Sequence, residues 1–242
     1  MPSPRGPRPG FFNDGREQAL LDHLLSLPRD KVKDNPQAVI EAIEEYTKTH
    51  RMMTFQPSKI AIAKDILRSQ TPAPKVLVEL GCYVGSSAVA WGALIKELNG
   101  GNTTDCKVYT CELDAGIAKV AQQIIELAGV DDIVEVVVGS SSDSIKKLRR
   151  EEKISHIDVL FIDHWEEFYL PDLMLCEDEG LLREGAIILA DNVDMPGAPK
   201  YLEYVQKGGR GAEGGTKLET KSYWSEDEGR VPKQVEVTKV LG

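Results

Sequence analysis

Apolar positions recur at helical spacing in two segments near the start of the chain. Leu20, Leu21, Leu24 and Leu25 do so within residues 16–27, and Val39, Ile40, Ile43 and Tyr46 within residues 36–50, with a charged turn between. Each segment predicts an amphipathic helix whose apolar face packs on a larger body. A third helix, over 58–68, runs into Ser69-Gln-Thr-Pro-Ala-Pro74, where two prolines end it.

From Lys75 the pattern changes to short β-rich runs at 76–79, 107–112, 134–138, 157–163 and 186–190. Helical stretches at 86–98, 115–128, 142–150, 169–182 and 199–205 alternate with them. Such alternation predicts parallel strands joined by helical crossovers. The alternation stops near the C-terminus, where 217–224 and 234–240 read as an antiparallel hairpin on the sheet edge. The expectation is an α/β fold: a doubly wound, Rossmann-like, seven-stranded and mostly parallel sheet, with a C-terminal antiparallel hairpin and N-terminal helices. Residues 1–14, rich in proline and arginine without an apolar signal core, read as a flexible tail, and 15–242 as a single domain.

Composition narrows the function classes. The 242 residues are 41% hydrophobic, enough for one substantial core. A formal net charge of −10 argues against nucleic acid as a partner. No apolar run approaches the roughly 20 residues of a membrane span, so no membrane partner is expected and a cytoplasmic location is the default. Cys82, Cys106, Cys111 and Cys176 form no Cys-x-x-Cys pair, and reduced, buried thiols are expected.

In open sheets of this kind ligands bind beyond the carboxyl ends of the strands. The first strand runs into Glu79-Leu-Gly-Cys-Tyr-Val-Gly-Ser-Ser87, with Gly81 free to turn tightly and Gly85 open to close approach at a helix N-terminus. The full Gly-x-Gly-x-x-Gly pattern of dinucleotide enzymes is absent, which counts against a dehydrogenase; a turn without ligand is the plain alternative. The second strand delivers Glu112 beside this loop, where a carboxylate can accept from both hydroxyls of a ribose or stand as a solvated strand-end charge. The fourth and fifth strands deliver Asp163 and then Asp191-Asn192. A single strand-end aspartate is commonly a turn residue, but two carboxylates and an amide from neighbouring strands are hard oxygen donors suited to Mg²⁺.

Four separated motifs then carry a resemblance: Leu77-Val-Glu-Leu-Gly-Cys-Tyr-Val-Gly-Ser-Ser-Ala88; Thr110-Cys-Glu-Leu113; Phe161-Ile-Asp-His-Trp165 with Tyr169-Leu-Pro-Asp172; and Leu189-Ala-Asp-Asn-Val193 with Pro196-Gly-Ala-Pro199. Together, in this order, they resemble the catechol O-methyltransferase family, over the chain from about residue 36. The resemblance implies S-adenosylmethionine as cofactor, with Glu79, Gly81, Tyr83 and Ser87 at its methionine portion and Glu112 at its ribose. Cys111, Leu113, Ser141, Ser142 and His164 would surround the adenine, Asp163 and Trp165 would also border the cofactor, and Met53 would lie near the transferred methyl. Asp163, Asp191 and Asn192 match the family's Mg²⁺ ligands, and Trp165 and Pro196 match walls of the acceptor groove. The implied reaction is methyl transfer to a hydroxyl of a catechol-like small molecule, or a related vicinal diol. A monomer is the expected state and a dimer the alternative, since a related branch of the superfamily dimerises.

The chain departs from the family at the general base. The family's lysine follows the Asp-His-Trp motif directly, whereas this chain has Glu166 there, and no lysine follows until Lys200. Glu166 could accept a proton from an acidified hydroxyl while opposing an anionic acceptor. The alternative is a cofactor-binding relative with weak or no catechol activity. Arg51 stands where the family has a second tryptophan wall, and Glu226 is the candidate for the glutamate that contacts the second hydroxyl.

Overall fold

A computed structural model describes residues 14–210, 216–226 and 233–242. Apart from Asp14, the tail expected over 1–14 lies outside them, as does most of the connection within the C-terminal hairpin. Helices α1 (Arg16–Ser26), α2 (Arg29–Val32), α3 (Pro36–Thr47) and α4 (Pro57–Arg68) precede the first strand. The alternating unit then runs β1 (Val76–Leu80), α5 (Ser86–Leu98), β2 (Lys107–Glu112), α6 (Ala115–Ala128), β3 (Val134–Val138), α7 (Ser141–Arg150), β4 (Ile157–Ile162), α8 (Tyr169–Asp178), β5 (Leu182–Asp191) and α9 (Pro199–Gln206). Strands β6 (Leu218–Trp224) and β7 (Gln234–Val240) close the fold.

Local chemistry sets the helix starts. Asn35 accepts the Ala38 N–H at α3 (3.1 Å), and Asp114 accepts those of Gly116 and Ile117 at α6 (2.7 and 3.0 Å). Each side chain satisfies a donor that the first helical turn would leave unpaired. The charged turn between the first two predicted helices contains the four-residue α2, too short to produce a periodic signal.

The seven strands lie in the order β3-β2-β1-β4-β5-β7-β6. Pairs β1·β2, β2·β3, β1·β4 and β4·β5 are parallel, and β7 runs antiparallel between β5 and β6. Chain order reverses between β1 and β4, so the loops leaving these two strands lie side by side. One core layer packs α1 and α3–α6 on a sheet face; the other packs α7, α8 and α9 on the opposite face. Buried on both sides, the central strands are nearly continuous apolar runs, as parallel sheets require.

An aromatic cluster fixes the loop before α4. Phe55 meets Phe161 of β4 and Trp91 of α5 at centroid distances of 4.8 and 6.0 Å, and Trp91 meets Phe161 edge-on at 5.2 Å. Such pairs add about 0.5–1.5 kcal/mol each beyond burial. They hold the segment carrying Met53 at the carboxyl end of the sheet.

Candidate active site

The loop after β1 is built around two glycines in the left-handed region, Gly81 (φ 103°) and Gly85 (φ 81°), with Tyr83 between them also at positive φ (48°). A Cβ on Gly81 would lie 2.2 Å from the carbonyl oxygen of Asp163, so only glycine lets this loop touch the end of β4. Gly81 and Cys82 donate their N–H groups to the Cys111 carbonyl, and Tyr83 donates its N–H to Glu112 Oε2 at 2.8 Å. Glu112 Oε1 accepts the Asp114 N–H at 2.9 Å. Burial raises the Glu112 pKa, while these backbone donors favour its ionised form. The ends of β1 and β2 are thereby tied into one cradle.

Beneath the cradle, Glu79 is fully buried. Its carboxyl accepts from Trp91 Nε1 (3.1 Å) and Thr110 Oγ1 and is also bonded to Ser87. Burial pushes its pKa up to about 7 against these three hydrogen bonds. Glu79 therefore braces the loop and α5 from the interior. Tyr83 is pinned from outside by α1: its hydroxyl bonds to Glu17, and burial, then that carboxylate, raises its pKa.

At the ends of β4 and β5, Asn192 Nδ2 donates to Asp163 Oδ1 at 3.4 Å, so the two strand tips converge. Asp163 is pushed well above the usual carboxylate range by burial first and by the charge of Asp191 second; Glu166 acts in the same direction. Asp191 is raised by burial, which a buried ammonium opposes. That ammonium is Lys59 of α4, whose Nζ donates to Asp191 Oδ1 at 2.6 Å and to Asn192 Oδ1 at 3.3 Å.

Lys59 was not legible as a site residue, although α4 carried a signal. Positions 59, 63 and 67 form one helical stripe, and Ala63 and Leu67 are fully buried. A lysine on an apolar stripe demands a carboxylate partner. The cation beside the strand-end carboxylates thus comes from a segment far earlier in the chain.

His164 donates or accepts through Nε2 with Asp172 at 2.8 Å and stacks on Tyr169 (5.3 Å, 13°), whose hydroxyl donates to the Asp191 carbonyl at 3.0 Å. His164 Nδ1 is buried without a hydrogen-bond partner. Trp165 and Glu166 follow, half-buried, and Ser141 and Ser142 open α7, also half-buried. Met53 and Leu113 are exposed apolar side chains at 44% and 53%, and Pro196 is exposed in the turn after Asn192. Glu226 lies exposed beyond β6, and no hydrogen bond or ion pair among the described residues joins it to the rest.

The donor set fits a divalent cation. No three His, Cys, Asp or Glu side chains come together as a metal cluster among the described residues. Two carboxyl groups and an amide do converge, and one ammonium would neutralise only half of their charge once both carboxyls are ionised. The glycine cradle, the Glu112 carboxylate and the unpartnered His164 Nδ1 likewise fit a polar organic cofactor over the ends of β1 and β2.

A family model described as a methyltransferase domain matches residues 78–193. Catechol O-methyltransferase of Bos taurus is 40% identical over 201 residues, 83% of this chain and 70% of that protein. The Sus scrofa enzyme of the same name is 43% identical over 160 residues, covering 66% of this chain and 81% of that one. The chain belongs to the catechol O-methyltransferase family. It is accordingly a methyltransferase, as the four strand-end motifs led us to expect. Among solved structures, an O-methyltransferase from Bacillus cereus in complex with SAH superposes with a TM-score of 0.65 at 17% identity, covering 94% of this chain and 97% of that one. An O-methyltransferase from Streptomyces achromogenes in complex with SAM gives 0.65 at 16% identity, covering 96% and 100%. These two support the fold. No helix among the described residues is long and apolar enough to cross a membrane.

Proposed function

We propose that this family member transfers the methyl group of S-adenosylmethionine to a hydroxyl of a catechol-like small molecule, with Mg²⁺ at Asp163, Asp191 and Asn192. The observation that carries the reading is that the side chains of Asp163, Asp191 and Asn192 come together beside the glycine loop: Asn192 meets Asp163 through Nδ2 and shares Lys59 with Asp191 through Oδ1, while Gly81 packs on the Asp163 carbonyl. Gly81, Tyr83 and Ser87 would line the methionine portion of the cofactor, with Glu79 bracing that loop. Glu112 would accept from the ribose hydroxyls. Leu113, Ser141, Ser142, His164 and Trp165 would enclose the adenine, and Met53 would border the methyl.

Asp163, Asp191 and Asn192 would hold the divalent ion, which when bound would supply the positive charge that acidifies vicinal hydroxyls. Methyl transfer to oxygen then depends on alignment of donor and nucleophile. Trp165 and Pro196 would hold the ring flat and exclude water, Glu226 would approach the second hydroxyl, and Glu166 is the carboxylate left to accept the hydroxyl proton. The acceptor is read as a small molecule, and the protein as a cytoplasmic monomer.

One observation favours a second reading. The charge of Glu166 bears on Asp163, so this position opposes an anionic acceptor where the family's lysine would attract one. A protein that binds S-adenosylmethionine with weak or no turnover of catechol would result. A methyl-transfer assay over a panel of vicinal diphenols, with Mg²⁺ and with chelator, beside cofactor calorimetry, separates the two. Metal-dependent product supports the first; cofactor binding without product on any diphenol supports the second.

A further inference from the structure

Lys59 is fully buried, its Nζ lies 2.6 Å from Asp191 Oδ1 and 3.3 Å from Asn192 Oδ1, and no sequence motif drew attention to it. It therefore contacts two of the three residues read above as metal ligands, and this inference rests on that reading. We propose that Lys59 is the standing counter-ion of the divalent-cation site. As a positioning residue it holds Asp191 and Asn192 in place when the site has no metal, and it weakens metal binding by sharing Asp191.

Two observations support this role over a purely structural ion pair. The ammonium cannot swing away, because Ile60, Ala63 and Leu67 bury the same helix in the core. It thus remains beside any ion that arrives. Charge counting gives the direction of the effect. With both carboxyls ionised, as metal binding requires, Asp163 and Asp191 with Lys59 sum to −1, and a dication brings the set to +1, with Glu166 the further carboxylate acting on Asp163. In a water-poor site, a dication and an ammonium on one carboxylate repel strongly. Removing the ammonium should strengthen metal binding and leave the metal-free protein with the buried Asp191 carboxylate uncompensated beside Asp163.

The test is Mg²⁺ titration calorimetry on the full chain without cofactor or acceptor, paired with thermal melts in EDTA and in millimolar Mg²⁺, for wild type, Lys59→Met and Lys59→Arg. We expect Lys59→Met to bind Mg²⁺ about tenfold or more tightly than wild type. Its melt should be lower in EDTA and recover in Mg²⁺, and Lys59→Arg should stay close to wild type in affinity. Binding heat in Lys59→Met but none in wild type supports the proposal equally. Unchanged or weaker affinity in Lys59→Met overturns the counter-ion role alone, leaving the metal ligands standing. No heat from any of the three proteins overturns the metal reading along with it. A Lys59→Met chain that fails to fold even in Mg²⁺ also overturns the proposal, since the dication should stand in for the missing ammonium.

Discussion

Trp91 donates its indole N–H to Glu79 across 3.1 Å in the fully buried space between β1 and α5. The pair makes the loop after β1 depend on a carboxyl group that burial holds protonated up to about pH 7. Because the folded-state pKa lies above the unfolded one, this group's stabilising contribution is complete below about pH 4.5 and is lost as pH rises through 7. The shift corresponds to about 3 kcal/mol at most. Glu79→Gln should remove that dependence. Melting curves from pH 4 to 9 should show wild type losing stability relative to the variant between about pH 4.5 and 7 and a constant difference above that; parallel curves across the 4.5–7 window would contradict the assignment.

The approach of Gly81 to Asp163 predicts a severe effect from one methyl group. Gly81→Ala places a Cβ 2.2 Å from the Asp163 carbonyl oxygen at a φ that side chains rarely adopt. We expect a loss of at least about 2 kcal/mol in urea unfolding, together with weakened binding of both cofactor and metal. A variant as stable as wild type would show that the contact is readily relieved.

Glu112 and Asp163 should separate by ligand. Glu112→Gln forces an amide N–H₂ against the Tyr83 or Asp114 N–H and removes the charge proposed for the ribose. S-adenosylmethionine affinity should fall by about 1.5–3 kcal/mol. Asp163→Ala should abolish metal-dependent turnover while leaving cofactor affinity largely intact. Calorimetry with the cofactor and with Mg²⁺ tests both; equal loss of the two affinities in either variant would sink the division of roles.

Restoring the family's residue at the base position should be informative in rate. Glu166→Lys is expected to raise methyl transfer to catechol near neutral pH by an order of magnitude or more, within the usual range of general-base effects. An unchanged or lower rate would give Glu166 another task.

Most of the fold could be read from periodicity because its elements bury one repeating face each. Helices α5 and α6 and strands β2, β3 and β7 begin and end where the pattern predicted. Two boundaries moved by four residues, each for a physical reason. Helix α8 stops at Asp178 because Gly180 turns at φ 64°, although apolar residues continue to Leu182. Strand β5 starts at Leu182, ahead of the predicted 186, through a pairing with Ile157 at a register shift. Its first residues, Leu-Arg-Glu-Gly, lack a strand pattern. Strand-end residues were legible for the same reason as the strands: the topology fixes where an apolar run must stop. Lys59 was not, since its partner is 132 residues away and only the three-dimensional fold joins them.

The antiparallel β7 has a further consequence for how the site comes to exist. Asp191 ends β5, and β5 becomes an interior strand only when residues 234–240 pair along its open side, with Asp191 itself opposite Val235. The strand-end groups at residues 79–192 all precede that partner in the chain. The Asp191 carboxylate proposed to hold the metal therefore ends a strand whose edge stays open until residues 234–240 have been made, so its final position depends on distant sequence.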